Sequence, residues 1–324
     1  MESLSIPKLA ARIPDEDSAY RLLEEMRWGE YRQVCPHCGS VGGHYYLNPK
    51  NGGRKTRTGT ITQRRVWKCR DCRRQFTVLV GTIFHRTKIA VRTWLLILFD
   101  MMAAKNGISA REVARKYELS KEAAWFACHR IREAMKRDPL AGLLSGTVIA
   151  DETWVGGKPR NLKKDKRFAG DHYAKERKTP VLSLVDRENG EVRSKVIPNV
   201  RRNTLRQAIE EDVDLAATHL QTDNAPTYTR IGWHAASHKT VNHAASEYVR
   251  DGATTNHAES FFAQLKRSID GTHHAVSREH LPRYLSEFDF RFNTRKLSDT
   301  ERMARLLGQV HGRRLTYRPL TGHA

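Results

Sequence analysis

The sequence predicts a mixed α/β domain preceded by a cysteine-bearing basic module and a trihelical segment. Three observations carry that expectation. β-type runs followed by amphipathic helices fill residues 145–298, as expected of strands and helices packed in layers. Two Cys-x-x-Cys knuckles lie near the N-terminus. Between knuckles and strands, three helical stretches are separated by two short turns.

Each element follows from local pattern. Asp15 to Trp28 places Ala19, Leu22, Leu23, Met26 and Trp28 at roughly helical spacing. Val91 to Ala104 is a strongly apolar helix. Gly107-Ile108-Ser109 supplies a turn and a cap, and Ala110 to Tyr117 a short helix. Glu118-Leu119-Ser120 is a second turn and cap before a third helix, Lys121 to Arg137, which Asp138-Pro139 ends. Helix, short turn, helix is the outline of a helix-turn-helix. Thr147 to Ala150 is a strand that stops at Asp151-Glu152, and polar residues 157–179 are a loop. Val181 to Val185 and Val192 to Ile197 are strands joined by the hairpin turn Asp186 to Gly190. Thr204 to Glu211 is helical, and Thr218 to Thr222 is a short strand ending at Asp223. Asn256 to Ile269 and Glu279 to Phe292 are late helices, and the chain from Asp299 is basic and weakly patterned.

Composition narrows the function. Among 324 residues, 57 Lys and Arg outweigh 36 Asp and Glu, a net charge of +21, so the plainest partner is a polyanion. Hydrophobic residues at 39% and aromatics at 8% are too many for a disordered basic chain. No apolar run approaches the ~18 residues of a membrane span, and Trp94 to Phe99 is broken by Asp100. The N-terminus lacks the pattern of a signal peptide, and five cysteines do not make a disulfide scaffold. The expectation is a reduced, cytoplasmic protein with no membrane partner.

Cys35-Pro36-His37-Cys38 and Cys69-Arg70-Asp71-Cys72 stand 30 residues apart. Two such turns complete a tetrahedral four-thiolate Zn²⁺ site; four ordinary thiols and a redox pair are the competing readings. Cys128, inside the third helix, reads as a buried small residue. From Lys50 to Arg74 ten cations face one acid, with Tyr45, Tyr46, Trp67 and Phe76 nearby, which suits contacts to backbone phosphates. Arg64, Arg65, Lys68, Arg73 and Arg74 are the candidates there. Arg111, Arg115, Lys116, Lys121, His129, Arg130 and Arg132 make the trihelical segment basic, and Lys121 and Arg130 are its candidates.

Three acids stand out by position. Asp151 and Asp223 end strands, and Glu259 sits one turn into an amphipathic helix. Three carboxylates brought together repel unless divalent cations bind between them, and oxygen ligands suit Mg²⁺ or Mn²⁺. Two such ions would activate a water or hydroxyl and stabilise the leaving oxygen of a phosphodiester. Glu152 competes with Asp151, but alternation along a strand points only one of them at the site. Asp186 and Glu247 are weaker competitors. Lys266, two helical turns after Glu259, shares its face, and Lys266 and Arg267 are candidates to hold a phosphate.

The chain resembles the ISXO2-like transposases of bacterial insertion sequences over nearly its whole length. The resemblance rests on the two knuckles, Ala150-Asp151-Glu152-Thr153-Trp154-Val155-Gly156-Gly157-Lys158, Thr222-Asp223-Asn224-Ala225, Val241-Asn242-His243 and Glu247-Tyr248-Val249. It continues through Asn256 to Arg267, Gly271 to His274 and Arg283 to Phe288. It implies an RNase H-like catalytic domain whose metal-binding triad is Asp151, Asp223 and Glu259, with Lys266 alongside. The implied activity is DNA transposition: binding of terminal inverted repeats, cleavage at the ends, and transfer of 3′-OH strands to target DNA. A dimer or larger assembly on DNA goes with it. The resulting organisation is an N-terminal helical segment (1–32), a zinc ribbon (33–84), a helix-turn-helix-like segment (85–140), the catalytic domain (145–298) and a basic tail (299–324). A nuclease without strand transfer and an inactive zinc-ribbon regulator are the alternatives.

Overall fold

A computed structural model describes residues 3–29, 32–49, 54–55, 59, 61–138, 140–156, 178–242, 249–250, 252 and 254–321. The loop expected at 157–179 lies, from 157 to 177, outside the described residues, as do Lys50, His243, Glu247 and Tyr248. The chain forms two compact units, residues 1–135 with 296–324 and residues 136–295.

In the first unit, α1 (Ile6–Arg12) and α2 (Glu16–Trp28) are capped by Ser5 and Asp15. The ribbon contributes five two-residue strands: β1 (Tyr45–Tyr46), β2 (Arg54–Lys55), β3 (Ile61–Thr62), β4 (Trp67–Lys68) and β5 (Gln75–Phe76). Strands β1, β4 and β5 form one antiparallel sheet, and β2 and β3 pair separately. The apolar helix α3 (Val91–Ala103) has no side-chain cap of its own. Glu16 of α2 serves instead, its carboxylate accepting the N–H groups of Val91 and Arg92 at 2.7 and 3.0 Å. Helices α4 (Ala110–Lys116) and α5 (Lys121–Ala134) start at their expected caps, Ser109 and Ser120. Cys128 is buried in α5.

The second unit holds a five-stranded sheet made of β6 (Leu144–Val155), β7 (Thr179–Asp186), β8 (Val192–Val196), β9 (Val213–Asp223) and β10 (Ser237–Val241), ordered β10-β9-β6-β7-β8. Pairings β6–β7 and β7–β8 are antiparallel, while β6–β9 and β9–β10 are parallel. Strand β6 does not stop at Asp151-Glu152. It runs on to Val155 because β7 pairs with it as far as Val155↔Thr179. Strand β10, polar in four of its five residues, carries too little apolar signal to be seen in sequence, although Val241 is buried.

Both sheet faces are covered. Val148, Ala150, Leu182, Leu184 and Leu220 meet α6 (Arg202–Glu210) and α7 (Pro226–Gly232). Ile149, Val155, Val181 and Val185 meet α8 (Asn256–Ser268) and α9 (Leu281–Asn293). A π-helical turn, Ile269–His273, follows α8, and the His273 ring packs edge-on against Tyr284 at 4.8 Å. Helix α9 also closes the exposed edge of β8: Asp289 accepts the Ser194 N–H, and the Asn293 amide pairs both ways with the Val192 backbone.

The chain then returns to the first unit. The stretch from Asp299 is not an unpatterned tail but α10 (Asp299–Gly308), which carries a Ser298/Glu301 capping box. Its Met303, Leu306 and Leu307 are buried, and it packs on α2 and α3. In α11 (Tyr317–Thr321), Tyr317 meets the rings of Phe126 and Trp125 at 5.4 and 6.4 Å. No helix among the described residues is long and apolar enough to cross a membrane.

Asp289 gives this architecture a pH signature. Burial, together with the charges of Asp212 and Glu191, pushes its carboxyl from 3.8 up to about 7 despite the Ser194 hydrogen bond. Folding therefore favours the protonated acid. That contribution is complete below pH about 4 and is lost as pH rises through about 7. Asp289→Asn is expected to stabilise the fold at pH 8 by of order 2–4 kcal/mol, at about 1.4 kcal/mol per pKa unit, and to have little effect near pH 4. Thermal unfolding across pH 4–8 checks this, and parallel curves for the two proteins would refute it.

Candidate functional site

The cysteine knuckles meet as the spacing requires. Cys35 Sγ lies 3.7 Å from Cys72 Sγ, Cys38 Sγ lies 3.7 Å from Cys69 Sγ, and all four sulfurs fall within 4.8 Å of one another. A tetrahedral zinc ion with ~2.3 Å bonds has sulfur–sulfur edges of about 3.8 Å, so the donor set fits structural Zn²⁺. The two turns share one geometry: Cys35 N–H donates to Ser40 O, and Cys69 N–H to Arg74 O. The left-handed position after each second cysteine is Gly39 (φ 76) in one and Arg73 (φ 57) in the other. Burial pushes the Cys69 thiol up, but the N–H groups of Cys72 and Asp71 and the neighbouring thiols outweigh it and hold it down, whereas the Cys38 and Cys72 thiols that share the cluster are raised. The thiolate is the metal-binding form. The converging set is the four cysteines, without His37, whose Nε2 donates to Gln75 O at 3.2 Å.

Helix α2 is part of this centre. Its buried Glu24 accepts from Trp67 Nε1 at 2.8 Å and Arg65 Nε at 2.9 Å. Trp28 packs edge-on against Trp67 and Phe76 at 6.1 and 6.0 Å. The aromatic residues of the ribbon thus build a small core.

The cations separate into two groups. Arg64, Arg73, Arg74, Lys121 and Arg267 are exposed, and Lys68 is half-buried. Arg65 and Arg130 were expected on a DNA-facing surface, and the structure corrects this. Arg65 is 8% exposed, joined to Glu24 and Asp17, and lies 4.3 Å over the Tyr46 ring. Arg130 is 4% exposed, donates to His85 O at 2.7 Å, and sits over Trp94 and Phe126. Burial brings its pKa down to about 10. His129 and Arg132 are buried too, so α5 is basic in sequence but largely interior in its second half. Charge counting does not see which face of a helix is covered.

Asp151 and Asp223 come together through strand register. The parallel β6–β9 pairing ends at Ile149↔Gln221, and two residues further each strand carries its aspartate. The two acids therefore follow the last pair on adjacent strands and leave the sheet on the same face. Asp151 shares the face of Ile149, which packs under α8; Glu152 faces the layer of Ala150 and Tyr228. Burial, with repulsion from Asp151 and Asp223, lifts Glu152 to about 7 although the Tyr228 hydroxyl beside it opposes this. Asp223 accepts the Ala225 N–H at 3.1 Å, and Asp151 the Glu152 N–H at 2.8 Å.

Helix α8 brings Glu259 to the same face of the sheet. Ala258, Phe261, Phe262, Leu265 and Ser268 are its buried residues, while Glu259 and Lys266 are exposed along one flank. Arg267 projects roughly opposite the buried stripe. Gln221, which sequence reasoning passed over, pins the start of this helix: its Oε1 accepts the Thr254 N–H at 3.1 Å. The only signal for it is alternation, two residues before Asp223. Among the described residues the sole set of three or more ligating side chains converging within 4.8 Å is the cysteine set, so Glu259 does not close on both aspartates at that range. Asp186 binds the N–H groups of Glu188 and Asn189, a turn residue as expected.

Comparison with known proteins gives consistent matches. Residues 143–293 match the ISXO2-like transposase domain, and residues 14–75 match the transposase zinc-ribbon domain. The second match begins at α2, the helix tied to the ribbon by Glu24. An uncharacterised protein in transposable element ISH50 of Halobacterium salinarum is 28% identical over 295 residues, covering 85% of this chain and 90% of its own. A chain in the cryoEM structure of a simian T-cell lymphotropic virus intasome in complex with PP2A regulatory subunit B56 gamma is 15% identical. That match covers 58% of this chain and 66% of the other, with a TM-score of 0.28, too low to carry an argument.

The thiolate site makes a direct prediction. Cys69→Ser is expected to drop bound zinc from about one ion per chain to under about a tenth, and to change Trp28 and Trp67 emission as the ribbon loosens. Metal analysis checks it: zinc near one per chain in the variant counts against the four-thiolate centre.

Proposed function

Because the chain carries an ISXO2-like transposase domain behind a transposase zinc ribbon, we propose that it mobilises an insertion sequence. It cuts the ends of the element and joins the freed 3′-hydroxyls to target DNA, at a centre made of Asp151, Asp223 and Glu259. The observation that carries the reading is the juxtaposition of Asp151 and Asp223 on adjacent parallel strands. The sheet order β10-β9-β6-β7-β8, antiparallel in its first three strands in sequence and parallel in the last two, supports an RNase H-like domain.

The donor set is all carboxylate and suits hard divalent cations. Asp151 and Asp223 would hold Mg²⁺ from the rigid sheet, and Glu259 would reach in from α8. When bound, such ions lower the pKa of an attacking water or hydroxyl and neutralise charge on the phosphodiester. The protein's own part is positional. Parallel pairing fixes the two aspartates, Gln221 fixes the helix start, and Lys266 orients a phosphate from the flank it shares with Glu259. The exposed cations Arg64, Arg73, Arg74, Lys121 and Arg267, with the half-buried Lys68, serve the DNA backbone, with the ribbon and helical segments on the inverted repeats. Two ends must be paired before joining, so the working assembly is at least a dimer. Its place is the cytoplasm, on the nucleoid.

Incubation with a labelled repeat-end duplex and Mg²⁺ tests the reading. Asp151→Ala, Asp223→Ala and Glu259→Ala are each expected to reduce end cleavage by about 10³-fold or more, roughly the loss of a main electrostatic contribution. Lys266→Ala is expected to reduce it by about 10–100-fold. All three acid variants cutting like wild type would sink the assignment. A pre-cleaved end that is never joined to target DNA would leave a nuclease without strand transfer.

A further inference from the structure

Asp223 is also held from behind the sheet. Along β9, Leu220 and Thr222 face the layer of α6 and α7, while Asp223 faces the other. Thr222 is fully buried. On the neighbouring strand β10, His238 pairs in register with Leu220, and Thr240 with Thr222. His238 therefore stands on the Thr222 face. Its ring crosses to the next position along β9, where Nε2 lies 2.9 Å from Thr222 Oγ1. The Thr222 hydroxyl in turn donates to the main-chain carbonyl of Asp223 at 2.7 Å. A hydroxyl has one proton to give, and this one goes to Asp223. The ring must then donate, which puts its proton on Nε2 and leaves Nδ1 a bare acceptor. Burial keeps the His238 pKa below its usual value, in line with a single ring proton.

The fold makes room for this ring. Helix α7 ends at Gly232, which is buried against it. A Cβ built on Gly232 would overlap the Nδ1, Cγ and Cβ atoms of His238. Close approach of the ring is thus what asks for glycine there. The same helix follows Asp223 through Asn224 and Ala225, and the Asp223 carboxylate accepts the Ala225 N–H at 3.1 Å. The turn that carries the acid is pinned twice: at the carboxylate by its own backbone, and at the carbonyl by Thr222 and His238. Filling a core calls for neither a hydroxyl nor a ring N–H, since apolar side chains of like shape fill it without the cost of burying polar groups.

We propose that Thr222 and His238 are positioning residues for Asp223, fixing the turn from which its carboxylate leaves the sheet, with Gly232 as the gap that admits the ring. The consequence for a bound metal rests on the transposase reading; the hold on the turn does not.

Two measurements on the full chain test this. The first needs no metal: amide exchange of Asn224 and Ala225 in EDTA, read as the excess over the amides of β7, so that general loosening is subtracted. Thr222→Val and His238→Leu are each expected to speed it by about 10-fold, as the loss of a buried hydrogen bond would. The second is a Mn²⁺ titration followed by the EPR signal of the free ion. Both variants are expected to weaken binding by about 10–100-fold, the usual effect of removing a group that orients a metal ligand. His238→Gln, which keeps an N–H at similar reach, is expected to recover most of both losses. Gly232→Ala, which removes no hydrogen-bonding side chain, is expected to behave like His238→Leu. Wild-type exchange at Asn224 and Ala225 in Thr222→Val overturns the proposal. So does faster exchange with Mn²⁺ affinity unchanged, where Asp223→Ala abolishes binding, and so does His238→Gln as impaired as His238→Leu. The metal reading fails separately: wild type that binds no Mn²⁺, with exchange still faster in both variants, removes the metal centre and leaves the positioning role standing.

Discussion

The parallel pairing of β6 with β9 is the constraint on which the second unit depends. Side chains alternate along a strand, so a slip of one residue would carry Asp223 to the opposite layer and send Leu220 out of its own. Such a slip is resisted from both sides. Leu220 is buried among Val148 and Tyr228 in one layer, while Gln221 in the other is bonded to Thr254 at the foot of α8. Each misplaced aliphatic side chain costs about 1.5–3 kcal/mol, and a slip misplaces several. The positions of the two aspartates are thus set by apolar packing that contains neither of them.

The first unit is organised differently, around buried charge. Glu24 and Arg65, like Arg130 with the His85 carbonyl, hold short elements that bury little apolar area of their own. Two-residue strands cannot form a stable sheet in isolation. Buried ion pairs are weak evidence for stability, because desolvation offsets attraction, but each fixes one geometry. Here the Glu24–Arg65 pair orients α2 on the ribbon, and the hydrogen bond from Arg130 to the His85 carbonyl orients α5 on the turn there.

Much of this was legible in the sequence, for physical reasons that can be named. The knuckle spacing located the cysteine centre, since two thiols from one turn have few ways to meet another pair. Ser109 and Ser120 marked helix starts through the hydrogen bonds that caps make. Alternation put Asp151 and Glu152 on opposite faces of β6, as the layers of their neighbours Ile149 and Ala150 have it. What escaped was information that lives in tertiary packing. Strand β6 looked finished at Asp151 because acids interrupt an apolar run, yet pairing with β7 carries it to Val155. Arg65 and Arg130 looked like surface cations because burial by partners is invisible to charge counts. Helix α10 hid behind its many charges, its apolar stripe being only Met303, Leu306 and Leu307.

The bond from Glu24 to the ribbon also ties metal to helix. Whatever binds the folded ribbon and not the unfolded chain also stabilises the elements docked on it. Helix α2 is docked there, and through Glu16 it supplies the first turn of α3 with its cap. A scarce trace element would therefore be felt well beyond its four sulfurs, as fraying along a helical bundle. The cell's zinc supply becomes a quantity on which the integrity of this whole half of the molecule turns.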